Sequence, residues 1–307
     1  MTSTMTDVDI NEVILDEDTA AAAAAARAAN SDDDDSIGPD APSPQSLLQA
    51  FKDELGPACD GVRDEYLLPF LKWKPDVKRA SHRYREFLKW KASNKGFFDE
   101  SLRLSKDPEL ERLILSEVIV SPPTLLTKKG GPLLIGRFRN NDMTDGRTVD
   151  GVCRMLFYTL DQIMQRPETQ EHGMTVIHDL RGFDKAKNSR FQIAKRLFHL
   201  YGHFPIQLKA IYICHASPVF MGFFKIISNI VMTKKVRSRI RFIEDFNDLD
   251  TKYSVISPKD LFTDMGGTTE WSSKDWVEDQ KRKELSGDST VWSSFTEIDP
   301  TVETPKK

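Results

Sequence analysis

Lys234, Lys235, Arg237, Arg239 and Arg241 place five cations within eight residues, a density suited to phosphate oxygens or an anionic surface. Other residues that could do chemistry are sparse. His199 and His203 stand four apart on a predicted helix, the spacing of a two-histidine metal clamp. The zinc-protease pattern needs Glu directly after the first His, and Leu200 stands there, so no metal site is expected. Cys214-His215 sets a nucleophile beside a base, but consecutive strand residues point to opposite faces and cannot assist each other directly. Asp179, at the end of a predicted strand, has the chemistry of a general base and no partner identifiable in the sequence. The patterns GxGxxG, GxxxxGKS/T and GxSxG are absent, so the usual dinucleotide cradle, phosphate loop and nucleophile elbow are missing. The reading is a binding protein with no catalytic residues, no metal and no cofactor.

The basic run follows the most apolar stretch of the chain. Leu208 to Cys214 is a short, largely apolar and β-branched segment, read as a strand buried on both faces. Ser217-Pro218 then supplies a capping hydroxyl and a proline suited to the first helical position. In the helix that follows, Val219 to Met232, only Gly222, Lys225, Ser228 and Asn229 interrupt the large apolar residues, and they share one narrow side. Such a helix is too apolar to lie free in water and too short to span a bilayer, which takes about 20 apolar residues. It reads as a lid over an apolar cavity, or as a core helix with a charged end.

These elements sit in a longer alternation. Pro132 to Arg139 and Met174 to Leu180 read as strands, Thr148 to Met164 as an amphipathic helix, and Ile240 to Ile243 as a last strand. A further helix is expected from Asn188 or Ser189, carrying Phe191, Ala194, Leu197, Phe198 and Tyr201. Repeated βα units imply a mostly parallel sheet. Upstream, Ser46 to about Asn94 has helical spacing in Leu47, Leu48, Phe51 and Leu55, in Tyr66, Leu67, Phe70 and Leu71, and in Val77, Ala80, Tyr84, Phe87 and Leu88.

Composition sets the outer limits. The 307 residues carry a net charge of −4, but residues 1–45 alone hold eleven acids against Arg27, leaving the remainder mildly basic. That acidic segment has few large apolar residues and is expected to be disordered. Cys59, Cys153 and Cys214 lie far apart with no CxxC spacing, as in a reduced intracellular protein. Neither a secretory signal nor a transmembrane window is apparent, so a cytoplasmic protein in peripheral, reversible membrane contact is expected. The domain reading is a disordered tail (1–45), a helical subdomain (46–105), an α/β domain (106–277) and a polar tail (278–307), loose from about Lys281.

Four segments in order resemble the CRAL-TRIO lipid-binding family, over roughly Ser46 to Trp276. Tyr66 to Val77 resembles its N-terminal helical signature, and His178-Asp179-Leu180-Arg181-Gly182-Phe183 its D-L-x-G strand end. Phe204-Pro205 through Pro218 resembles the segment leading into a gate helix, and Ser257 to Thr268 the closing motif with paired glycines. The resemblance implies an α/β fold whose mixed, mostly parallel sheet floors an apolar lipid cavity under a helical gate, preceded by the small all-helical subdomain. Carried over residue by residue, the cavity walls would be Cys153, Leu156, Phe157, Leu160, Met174, Val176, His178, Leu200, Ile211, Phe220, Phe224 and Met232. Lys209, Lys235 and Arg239, with Arg237 close by, would meet phosphoinositide or other anionic headgroups. The implied function is sequestering one hydrophobic ligand of the phospholipid, sterol, tocopherol or retinoid class and exchanging it at membranes, as a monomer without nucleic acid. An adaptor that senses phosphoinositides without transferring lipid is the alternative, and an α/β enzyme of unrecognised chemistry is a third reading. Pro69, the Lys74-Pro75 junction, Ile206, Gln207 and the His215-to-Pro218 segment depart from the family pattern, and the ligand stays unnamed.

Overall fold

The computed structural model describes residues 43–286 apart from 74, 75, 95, 96, 98–100, 189, 191, 194, 197–202 and 233. Most of the acidic N-terminal segment lies outside the described residues, as do His199, Leu200, the five apolar positions of the helix expected after Asn188, and 287–307 of the polar tail.

Three helices lead the fold. In α1 (Pro44–Leu55) the Ser43 hydroxyl accepts from the Ser46 amide at 3.2 Å, and Pro44 opens the first turn. Next, α2 (Asp64–Trp73) holds Pro69 inside its span. For α3 (Val77–Ser93) the Asp76 carboxylate caps the start, accepting from the Arg79 amide at 2.8 Å. Their apolar faces meet through Tyr84, whose ring stands edge-on to Phe51 at 6.2 Å and to Phe70 at 5.1 Å. Further along, Phe87 and Trp90 reach Phe204 at 5.8 and 5.9 Å. These helices and the sheet face beyond therefore share one continuous core.

The sheet has the order β1 (Ile119–Val120), β2 (Leu133–Arg137), β3 (Met174–Asp179), β4 (Leu208–Cys214), β5 (Ile240–Ile243). The β1–β2 pair is antiparallel and the other three are parallel, as the alternation predicts. Two cores flank it. Leu134, Met174, Val176, Ile211 and Ile213 join the leading helices and α5 (Val149–Met164) on one face. Leu133, Ile135, Ile177, Tyr212, Cys214 and Ile243 on the other are covered by Phe246, Leu249, Ile256, Leu261 and Phe262. Burial on both faces is why these strands read as continuous apolar runs.

One irregularity decides which residue faces which core. Met174 pairs with Leu208 but Thr175 pairs with Ala210, so Lys209 is an extra residue on β4. The bulge lets Leu208 and Ile211 share a face, where strict alternation would oppose them.

Helix α4 (Pro108–Leu115) is tied to α5 by Asp107, which caps the Leu110 amide at 3.0 Å and takes Arg154 Nη2 at 3.0 Å. After β4, α6 (Pro218–Val231) starts at Ser217, whose hydroxyl accepts from the Phe220 amide at 3.2 Å, in agreement with the predicted cap. A short helix, α7 (Lys234–Ser238), carries the basic run into β5.

The C-terminal boundary differs from the sequence reading. Helix α8 (Ser273–Ser286) continues past residue 277 and past Lys281, where a loose polar tail is expected. Glu284 is the reason. It is buried, and its carboxylate accepts from the Tyr158 hydroxyl at 2.8 Å and from the Leu104 and Ser105 amides at 3.0 and 2.8 Å. A glutamate in a polar run carries no sign of such partners.

Candidate functional site

The predicted wall residues separate into three groups. Cys153, Leu156, Phe157 and Leu160 on α5, Met174 and Val176 on β3, Ile211 on β4 and Phe220 on α6 are buried in the same core. Phe224 is half-buried against that core, and Met232 is buried. Leu200 lies outside the described residues. Phe157 is shared with the leading helices, standing edge-on to Trp90 at 5.7 Å and to Phe97 at 5.3 Å. Burial pushes the Cys153 thiol up to about 11, against the opposing pull of Arg196, so it is a neutral core residue and not an activated thiolate.

His178 stands at the end of the β3 row that holds Met174 and Val176. Its Nδ1 is buried without a hydrogen-bond partner, and desolvation lowers its pKa to about 4, leaving a neutral ring. The neighbouring position on β2 is Gly136, where a Cβ would lie 2.6 Å from Nδ1; only glycine leaves the imidazole its place. From His178 a train of rings leads outward. Phe138 meets it edge-on at 5.0 Å and Phe183 at 6.1 Å, and Phe183 meets Phe220 at 5.3 Å. Phe220 stacks with Phe224 at 6.0 Å, and Phe224 meets Phe242 of β5 at 5.1 Å. The sheet floor is thus joined ring by ring to the α6 helix. At the outer side Val219 is 62 % exposed, Met221 40 % and Phe242 38 %, an apolar surface at the start of α6 and on the last strand.

The predicted cations are grouped in part. The Ile211 amide donates to the Arg239 carbonyl at 3.0 Å, so Arg239 and the exposed Lys209 both sit at the N-terminal ends of the parallel β4 and β5. Lys235 and Arg237 lie on α7, immediately before. This end of the sheet is distant along the strands from the start of α6, which follows the C-terminal end of β4.

Asp179 is not a general base. The fully buried carboxylate accepts from Arg181 Nε at 3.0 Å and Nη2 at 2.8 Å, and pairs with Arg139. Burial favours the neutral acid, but the guanidinium hydrogen bonds of Arg181 and Arg139 outweigh it and hold the carboxyl below its usual range. Asp264 extends the network, taking Arg139 Nη2 at 2.6 Å and Arg137 Nη2 at 3.1 Å, while Glu117 takes Arg137 Nη1 at 2.9 Å. Three guanidiniums and three carboxylates thus fasten the 263–265 turn to the C-terminal ends of β2 and β3. The paired glycines serve the same turn. Gly266 has φ +90°, and a Cβ on Gly267 would lie 2.1 Å from the Leu261 carbonyl oxygen. Two of the quoted motifs therefore meet in one ionic clamp, which residue spacing did not reveal.

The remaining chemical candidates are structural. Burial, the larger effect, and the nearby Asp179 hold the Cys214 thiol protonated, and His215 adopts φ 58° with its ring edge-on to Phe246 at 4.9 Å. His203 stacks on Trp90, ring centroids 5.1 Å apart. Among the described residues no three His, Cys, Asp or Glu are grouped to hold a metal, and no helix is long and apolar enough to cross a membrane.

Residues 124–267 match the CRAL/TRIO domain. The matched stretch spans β2 to β5, α5, α6 and the clamped 263–265 turn. Alpha-tocopherol transfer protein-like from Homo sapiens is 30 % identical over 118 residues, 38 % of this chain and 34 % of that protein. The Mus musculus protein of that name is 31 % identical over the same length. Tyrosine-protein phosphatase non-receptor type 9 from Homo sapiens is 35 % identical over 94 residues, 16 % of its length. The match thus spans about a third of the length of the first relatives. The crystal structure of Sfh5 superposes with a TM-score of 0.47 at 12 % identity, covering 74 % of this chain and 83 % of that one.

Proposed function

We propose that this chain is a CRAL/TRIO protein that holds one hydrophobic lipid between α5, the β3–β4 face and α6, and exchanges it at an anionic membrane. The observation that carries the reading is the train of rings from His178 to Phe242. It makes α6 a helix whose inner residues, Phe220 and Phe224, continue the apolar wall of the sheet face. Its outward residues Val219 and Met221 are apolar and exposed, an arrangement that gains free energy only when covered. In this reading α6 is the gate, and contact of Val219 and Met221 with lipid favours its opening. A lipid chain taken behind it is stabilised by about 0.8 kcal/mol per buried methylene. Lys209, Lys235, Arg237 and Arg239 hold the protein to phosphates of the surface, phosphoinositides included. His178, with a buried Nδ1 lacking a partner, is the polar contact for a ligand group. The likeness of 118 residues to proteins named for tocopherol transfer agrees with a lipid guest.

Transfer of a fluorescent phospholipid between vesicles tests this. The intact chain should move lipid, and Phe224→Asp, which sets a charge against the wall, should lower the rate at least tenfold while leaving the fold intact. Binding to vesicles with no transfer of any lipid class would favour the adaptor reading instead.

A further inference from the structure

A cavity of about 370 Å³ lies outside the proposed lipid site, between α5, the edge strand β1 and α8. None of its lining residues belongs to the predicted wall set. On α5 it uses Thr159, Gln162 and Ile163, a flank roughly 120° around the helix from Cys153, Leu156, Phe157 and Leu160. Its volume falls within the range of small-molecule sites, about 300–1,000 Å³.

We infer that this cavity binds a small aromatic carboxylate. The walls supply the aromatic half of the argument. Trp271 and Trp276 both line it, their rings 6.5 Å apart and inclined at 47°, so they form an angled slot suited to a flat ring. Both are fixed from behind. The Trp271 indole N–H donates to Ser273 Oγ at 3.1 Å, and that hydroxyl donates to Glu117 at 2.6 Å. Trp276 stands edge-on to Tyr158, which donates to the buried Glu284. The helix carrying one side of the cavity is therefore anchored at both ends, and the space between is not an accident of a loose helix.

The carboxylate half comes from Arg166. Arg166 lines the cavity, and its guanidinium donates to neutral acceptors, the Pro123 carbonyl at 2.9 Å and the Ser121 hydroxyl and carbonyl at 3.3 and 3.4 Å. The nearest carboxylate, Glu168, also lines the cavity but reaches only the Nε edge of the guanidinium, at 3.9 Å. A half-buried cation so weakly compensated favours an anion beside it. Gln280, whose amide makes no hydrogen bond among the described residues, faces the same space from α8, as does Lys283, whose charge is met by Asp279 at 2.6 Å. One guanidinium with one amide suits a monoanion on a compact ring better than a bulky phosphate ester.

The test follows the indole N–H signals of Trp271, Trp276 and Trp90 by NMR in the full chain during titration with 2-naphthoate and with its neutral analogue, 2-naphthalenemethanol. The carboxylate should shift the Trp271 and Trp276 signals saturably, leave Trp90 in place, and bind at least tenfold tighter than the alcohol. Arg166→Gln should remove that preference, and Ile163→Trp, which fills the cavity without changing charge, should abolish the response to both compounds. The naphthoate–alcohol comparison on the unaltered protein decides the matter even where a variant fails to fold. No saturable shift at Trp271 and Trp276, equal affinity for the two compounds, or a response confined to Trp90 would each overturn the inference.

Discussion

Phe224 of α6 stands edge-on to Phe242 of β5, ring centroids 5.1 Å apart and planes at 85°. The contact fastens the middle of the proposed gate to the last strand of the sheet. An aromatic pair of this geometry contributes about 0.5–1.5 kcal/mol beyond its buried area. Phe242→Ala should therefore loosen the helix without removing the wall. The expected result is lipid exchange faster by about 2- to 10-fold, read as the rate of fluorescence dequenching in a vesicle assay. An unchanged rate would mean that α6 does not move in exchange.

The cations at the other end of the sheet should act through the membrane. Lys235→Ala with Arg239→Ala should weaken sedimentation with vesicles containing anionic lipid and leave the amount of lipid carried per protein unchanged. Screening lengths are about 10 Å at 0.1 M salt and about 3 Å at 1 M. The difference between the variant and the parent should accordingly shrink as salt rises. Equal sedimentation at low salt would remove these residues from the membrane surface.

Asp179 holds two guanidiniums at the C-terminal end of β3 while fully buried itself. Asp179→Asn keeps the size and removes the charge, leaving Arg139 and Arg181 with Asp264 as their remaining carboxylate. Loss of one partner of a buried ion pair costs about 3–5 kcal/mol; with both arginines about a third exposed, the lower figure is expected here. Urea unfolding should show the midpoint falling with the slope unchanged. A catalytic or ligand-binding role for Asp179 would instead appear as lost lipid binding at full stability.

His178 gives the protein a dependence on pH. Its folded pKa is lowered to about 4 from 6.5 because burial disfavours the charged ring. A group with a lowered folded pKa binds protons more readily when unfolded. Its contribution to stability is therefore complete above about pH 6.5 and is lost progressively as pH falls toward 4. His178→Phe should flatten the part of the stability curve between these limits, measured as unfolding midpoints at pH 7 and pH 5. A curve of unaltered slope would show that other groups govern the acid side.

Much of the architecture was legible in the chain because it rests on local rules. Ser217-Pro218 announced the start of α6 through a hydroxyl and a fixed φ, and the apolar run 208–214 announced a strand buried on both faces. The Met174–Val176–His178 row followed from alternation, and its members do lie along β3. Alternation fails where Lys209 bulges out, since an extra residue in a strand leaves no mark on residue types. The motif residues Asp179 and Asp264 were visible, yet their shared arginines were not, because pairing depends on where separate strand ends and turns converge.

The sequence by itself determined a mostly parallel sheet with an apolar helix and a basic run between its last two strands, since periodicity, caps and charge are properties of neighbours along the chain. Only the tertiary structure decided that Arg137, Arg139 and Arg181 clamp the 263–265 turn, that Glu284 keeps α8 helical, and that Arg166 shares a cavity with Trp271 and Trp276. Those partners stand tens of residues or more apart, and a buried charge finds its counterpart through space, where burial strengthens the electrostatic field between them.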